Sequence, residues 1–526
     1  VTPSGTNDLA HDRISLGPSS ASARLVVAAA AIGAGALALL ISWSVLELVP
    51  HVGVSYLFQG RILAAGALYL PPPPLPVLFG QEDILLTDSR WCSIYPPGWP
   101  LLLALGWLGH APWLLSPLLL ALAVLGIARA GRALYDPTTG ALAALALAAS
   151  PVALLMAGDA TAHVPALCAT VWCLAELALG VGADDPATQR RHLLIAGFCG
   201  GFGILIRPVT TLALLAPWGS WGAWTLVRGR RTRALGWAAA GLIPCLLALA
   251  LYNWRVFGSP LATGYAAYDP HNFASAAAMT EPVGIALGRN LPWYLKHLNR
   301  SLWGFPWGDL VWLAPALFSR GRRGRDVLLV ASAASLVIVQ SFYIYGDIVY
   351  SGPRLAFESL GPFCLLAARS VRACSALLRA ALARVAPHGT LWRRRGVGLA
   401  VAGAAAALLV YFPLGRRLPA QMVHHAQWYF AQSAAPLAAA RRAGVGPEPL
   451  VFVAGTPFCY TSFFLSNSLH PALGGAVFVR DVPPLRAAAM RVFRRSEVWL
   501  ARVVVAIDPR HRDQAAPLEI SWRRLR

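Results

Sequence analysis

The sequence predicts an all-α polytopic membrane protein with a small α/β unit at its C-terminal end. Three observations carry that reading: an apolar composition, arginine clusters set between long apolar runs, and a change of pattern after residue 415. Of 526 residues, 57% are hydrophobic and 13% charged, with a mean hydropathy of +0.56; an ordinary soluble domain has a charged share of about 25%. A net charge of +21 would suggest nucleic acid as the partner of a soluble chain. Here orientation in a membrane accounts for the arginines, so membrane lipids are the expected partner and nucleic acid is excluded.

Residues 1–23, rich in Pro, Ser and Gly, read as a disordered cytoplasmic tail. The membrane domain covers 24–414. Its apolar runs are 24–48, 112–128, 139–157, 164–181, 193–206, 208–227, 235–254, 303–318, 326–345, 355–368 and 396–414, about eleven spans of the roughly 20 residues that a bilayer requires. The first run is too long for the core of a cleaved signal peptide and is retained. With the N-terminus inside, the short inward loops receive Arg129 and Arg132, Arg190 and Arg191, RGRRTR at 228–233, RGRRGR at 320–325, and Arg369 through the RRR at 393–395. That is the positive-inside distribution of a multi-pass protein in the cytoplasmic (inner) membrane.

The outward side then receives the loops 50–111 and 255–302, the turn GDATAH, the stretch GDIVYSGPR and residues 415–526. In the last of these, strand-like runs PLVFVAG, GAVFVRDV and WLARVVVAID alternate with Gly and Pro turns, which predicts an extracytoplasmic α/β domain.

Chemistry is sought on that outward side. The eight cysteines show no CxxC pair and no Cys/His metal spacing, so no metal site is assigned; Cys92 and Cys459 both face outward and form a candidate disulfide. SYLFQGRILAAGAL has apolar residues at helical spacing and suits a helix lying on the outer membrane face. PPPPLP stops it, and QEDILLTDSRWCSIYPPG then supplies Glu82, Asp83, Asp88, Arg90 and Tyr95. GDATAH sets Asp159 and His163 one helical turn apart, close enough to share a proton, a phosphate or a metal. Arg207 stands in LIRPVTTL, and Arg354 in SGPRLAFE with Glu358 one turn on. Arginine forks suit phosphate oxygens, and an internal ion pair with Glu358 is the alternative for Arg354. Lys296, the single lysine, is a further cation.

Taken in order, SYLFQGRILAAG, YPPGWPLLLALG, the His of GDATAH, LIRP, LYNWRVFGSPLATGYAAYDP and YSGPRLAFESL resemble the bacterial membrane glycosyltransferases of family 39. These are the protein mannosyltransferase and aminoarabinose transferase branch of the GT-C superfamily, and the similarity covers about residues 25–370. The resemblance implies a transferase that takes a sugar from a polyprenyl-phosphate carrier and passes it to a lipid, glycan or protein acceptor outside the cytoplasmic membrane. It also implies that Arg207, Arg354 and Lys296 hold the lipid phosphate, supported by Tyr95, Asp159, His163 and Glu358.

Such enzymes place an acidic residue, the base that deprotonates the acceptor, directly before the segment matching VSYLFQ. Here His51, Val52 and Gly53 stand there instead. The substitutes are Glu47 and His51, four residues apart, and Asp88 in the same loop. The alternative is a non-catalytic protein of this fold that binds lipid-linked sugar or a partner enzyme. A transporter would carry its charges near the bilayer midplane, whereas these lie at the outer face.

Overall fold

The computed structural model describes residues 21–45, 51–270, 279–318, 323–344, 352–385, 400–422 except 401, 402, 405, 406 and 409, then 435–455, 457–507 and 515–526. Residues 1–20, Glu47 and much of the expected span 396–414 lie outside the described residues, as do the side chains of His51 and Cys459.

Prolines punctuate the helical bundle. α1 (Ala21–Val45), α2 (His51–Ala64), α3 (Gly98–Leu108) and α4 (Leu115–Leu134) are followed by α5 (Pro137–Ala148), α6 (Pro151–Gly158), α7 (His163–Gly182), α8 (Pro186–Ile206), α9 (Pro208–Arg228) and α10 (Arg233–Phe257). Four of these begin with Pro, whose missing N–H is no loss in a first turn. Asp136 and Asp185 precede two of them and accept from the N–H groups of Thr139 and Thr188 at 2.9 and 2.8 Å. α7 is buried along nearly its whole length, packed by α4 and α8.

Six described helices are long and apolar enough to cross a membrane, or seven if α5 and α6, bent by 58°, form one span. Eleven were expected. α8 opens on Gln189, Arg190, Arg191 and His192, which leaves only its later part apolar. The expected span 303–318 is not one helix. The Asp309 carboxylate accepts from the backbone N–H groups of Trp303, Gly304 and Phe305 at 2.9–3.1 Å, tying the chain into a compact turn, and only Ala314–Phe318 is α-helical.

The first loop also departs from expectation. α2 does not lie half-exposed on a surface: residues 53–60 are all buried. Tyr56 and Leu57 pack with Tyr95, Trp99 and Leu103, while Val54, Phe58 and Ile62 pack against the C-terminal unit. Beyond the prolines, β1 (Ile84–Leu86) and β2 (Trp91–Ser93) form an antiparallel hairpin with Ile84 opposite Ser93. Cys92 on β2 is a buried free thiol, and its candidate partner's side chain, that of Cys459, lies outside the described residues.

After the second loop, which carries α11 (Gly264–Tyr268) and α12 (Leu291–Ser301), come α13 (Arg323–Ser341), a 3₁₀ turn (Arg354–Ser359) and α14 (Leu360–Val385). The expected α/β character of the tail takes the form of a four-stranded sheet with the order β4-β3-β5-β6: β3 (Leu450–Ala454), β4 (Val477–Arg480), β5 (Val498–Ile507) and β6 (Ala515–Arg524). β3 runs parallel to β4 and β5, and β6 is antiparallel to β5. Helices α15 (Pro457–Phe464) and α16 (Arg486–Phe493) pack on it.

Candidate functional site

Asp83 sits where the first loop turns into the hairpin. Its φ of 61° is left-handed, a region that Asp tolerates better than most residues. Polar side chains of the otherwise apolar α2 hold it there. Ser55 Oγ donates to the Asp83 carbonyl at 2.6 Å and lies 2.7 Å from Ser93 Oγ. Gln59 donates to the Leu68 carbonyl at 2.8 Å and accepts from the Ser93 N–H at 2.9 Å. Both Ser55 and Gln59 are fully buried.

The YPPGW stretch then anchors this loop to the bundle. A Cβ on Gly98 would stand 2.7 Å from the Leu205 carbonyl carbon and oxygen, so only glycine permits that approach to the end of α8. The Trp99 indole donates to the Ala160 carbonyl at 2.8 Å, in the break between α6 and α7. Tyr95, just before, stacks on Tyr56 at 4.3 Å and meets Tyr265 of α11 edge-on at 5.7 Å.

Arg207 closes α8 with an extended backbone, as expected of a residue before proline. Its Nε lies 3.3 Å from Glu358 Oε1 and 3.2 Å from Thr210 Oγ1, and its Nη1 lies 3.2 Å from His163 Nε2. Arginine only donates, so that imidazole nitrogen accepts and the ring proton sits on Nδ1, 3.4 Å from Glu358 Oε1. Glu358 is fully buried; its carboxylate is the counter-charge of Arg207 and lies beside the neutral His163 ring. Arg354 enters through Gly352, whose φ of 120° disfavours any other residue. Its charge acts on Asp83, Tyr56, Tyr95 and His163, and it lies close enough to Arg207 for the two guanidiniums to repel.

Burial pushes the Asp83 carboxyl up to about 6, and Glu82 adds to the rise. A hydrogen bond from Tyr95 and the charge of Arg354 oppose it. A carboxyl so placed accepts a proton near neutral pH, and the Arg354 guanidinium whose charge reaches it suits an anion.

No family model and no curated protein matches the chain. Solved structures do match. ArnT from Cupriavidus metallidurans bound to undecaprenyl phosphate superposes with a TM-score of 0.54 at 17% identity, covering 89% of this chain and 92% of that one. Its apo state gives 0.53 at 16%, with 89% and 91% covered. The Archaeoglobus fulgidus oligosaccharyltransferase in complex with Zn and sulfate gives 0.51 at 13%, with 90% and 68% covered.

The chain has a GT-C-like fold. Within this GT-C-like bundle, Tyr95, His163, Arg207, Arg354 and Glu358 come together as one cluster. Asp159 and His163 are not one helical turn apart on a common helix, because the former follows the end of α6 and the latter opens α7. Asp159 is buried in that break. Glu358 engages Arg207 and His163 across the bundle rather than serving only its neighbour Arg354. Lys296 is exposed on α12, and Asp88 is exposed at the hairpin tip, beyond β1 from Asp83. Tyr56, Tyr265 and Thr210 join the cluster without having been singled out from the sequence, and Asp83 joins it although the sequence marks it only as one charge of the first loop. The signals available for Asp83 were the Glu82-Asp83 doublet beside a short strand and the two polar residues of α2.

Proposed function

We propose that the protein transfers a sugar from a polyprenyl-phosphate-linked donor to a lipid, glycan or protein acceptor at the outer face of the cytoplasmic membrane. The observation that carries this reading is the convergence of Asp83 with Arg207 and Arg354 at one end of a GT-C-like bundle. ArnT of the same fold class, described with undecaprenyl phosphate bound, supports a lipid-phosphate donor.

Asp83 takes the proton of the acceptor nucleophile as that atom attacks the anomeric carbon from the face opposite the phosphate. The bond from that carbon to the phosphate oxygen breaks, the electron pair leaves with the phosphate, and the configuration inverts. Arg354 and Arg207 meet the charge that grows on the departing oxygen. His163 and Glu358 keep Arg207 in place. In this reading Asp83, rather than Glu47, His51 or Asp88, is the base, and Lys296 is not needed for the phosphate.

The same reading places the N-terminus and the arginine-rich loops inside, with the cluster and residues 415–526 outside. The chain then divides into a membrane domain, 24–414, and an outward α/β domain, and a family 39 relationship accounts for the motif order. The test is transfer from radiolabelled polyprenyl-phosphate donors by the protein in vesicles, compared with Asp83→Asn and Arg354→Ala. Transfer lost in both, with donor binding kept only in Asp83→Asn, supports the assignment. Full transfer by Asp83→Asn removes Asp83 as the base.

A further inference from the structure

We propose that the C-terminal four-stranded unit is the element that fixes Asp83, acting on the reaction by positioning the first loop rather than by docking the acceptor. This rests on the reading of Asp83 as the base. Gln81, two residues before Asp83 and buried, meets Thr461 of α15 through both ends of its amide. Its Nε2 donates to Thr461 Oγ1 at 3.0 Å, and the Thr461 hydroxyl donates to its Oε1 at 3.3 Å. Thr461 is 1% exposed, so no solvent substitutes for either bond.

Further contacts bracket Asp83 from both sides. Phe79 meets Phe493 of α16 edge-on at 5.9 Å before it, and Trp91 meets Phe464 of α15 edge-on at 5.8 Å after it. Arg61 on α2 donates through Nη1 to the carbonyls of Leu465 and Asn467 at 2.7 and 3.1 Å, just past α15. A left-handed residue does not maintain itself and needs surroundings that over-determine it. Here much of that surrounding comes from a segment some 380 residues away. The described side chains of α15, Tyr460, Thr461, Phe463 and Phe464, are all buried.

The titratable and charged groups facing Asp83 are Glu82 on its own loop, Tyr95 after the hairpin, Tyr56 on α2, Tyr265 and Tyr268 on α11, and Arg354. From the C-terminal unit, the Arg480 guanidinium of β4 stands 3.2 Å from where a Cβ on Gly80 would lie; Thr461 itself carries no charge, so a change at Thr461 reaches Asp83 through position.

The experiment compares the full chain in lipid discs with Thr461→Val, which keeps the shape and deletes the hydroxyl, and Thr461→Ser, which keeps the hydroxyl. Hydrogen–deuterium exchange over residues 81–95 is expected to rise roughly tenfold or more in the valine variant, which deletes both hydrogen bonds to the Gln81 amide. Exchange in α7 and α8 is expected to stay unchanged. The acid limb of the transfer profile moves toward the ordinary carboxylate range as water reaches Asp83, and serine restores both readouts. Unchanged exchange over 81–95 in the valine variant overturns the proposal, as does a uniform rise across the chain. If the unsubstituted protein transfers nothing while exchange rises as expected, the reading of Asp83 as base falls and the hold of the C-terminal unit on this loop stands.

Discussion

The two ends of the bundle use the same residue types for different ends. Where α4 meets α5 and α7 meets α8, nearly every charge has a fixed local task. Asp326 accepts from the Tyr135 hydroxyl at 2.5 Å and pairs with Arg369 at 3.4 Å, whose guanidinium lies over the Tyr135 ring. Glu176 takes Arg129 and His192, Arg325 caps the Leu134 carbonyl, and Arg231 caps those of Val181 and Ala183. At the other end, Arg207 is paired with Glu358 yet feels a second guanidinium, Arg354, and Asp83 is raised rather than neutralised. Satisfied pairs belong to structure, and an arrangement that would relax on meeting an anion and a proton belongs to function.

The largest test of this contrast sets Asp83→Asn against Asp326→Asn. The first is expected to lower transfer by about 10²–10⁴-fold, the usual worth of a placed base, without loss of folded protein. Because the folded Asp83 carboxyl is raised, its stabilising contribution is complete below the unfolded value near 3.9 and is lost as pH rises through about 6. An asparagine therefore carries no penalty at pH 7. Asp326→Asn is expected to lower stability by about 3–5 kcal/mol, as for a broken buried pair, while transfer per folded molecule is kept; thermal unfolding and rate together separate the two.

Next in size are the arginines. Arg354→Ala is expected to weaken donor binding by about 10–100-fold, measured by titration with labelled lipid phosphate. Arg207→Ala adds a loss of stability, since it strands the buried Glu358. Smaller again is the pH response: transfer should fall about tenfold for each unit below pH 6, as Asp83 protonates. Last, Asp88→Asn and Lys296→Ala, both exposed, should change transfer less than about twofold, and a larger effect from either would redraw the site.

Much of this was legible in the sequence. Apolar run lengths and arginine placement predict the bundle, and prolines mark where α5, α6, α8 and α9 begin. Tyr95, His163, Arg207, Arg354 and Glu358 stand out because charged and polar groups at span ends need a reason. Asp83 reads only as one charge of the first loop, because the resemblance sets the acid directly before VSYLFQ and so points to Glu47, His51 and Asp88, whereas the turn into the hairpin some 30 residues later brings the Asp83 backbone onto Ser55. The turn at 303–309 was hidden for a similar reason: a single carboxylate that bonds three backbone N–H groups outweighs an apolar run. α2 read as a surface helix because the sheet covering its second face lies nearly 400 residues downstream.

That separation has a meaning for biosynthesis. At about 5–20 residues per second, the ribosome makes Thr461 roughly 20–80 seconds after Gln81. The membrane helices can insert and pack in that interval, and Ser55 and Gln59 can engage the loop, but on the positioning proposed above Asp83 is fully fixed only once the late strands arrive. A nascent or truncated chain would thus be a finished membrane scaffold without a working centre, and competence would be conferred on whole molecules only.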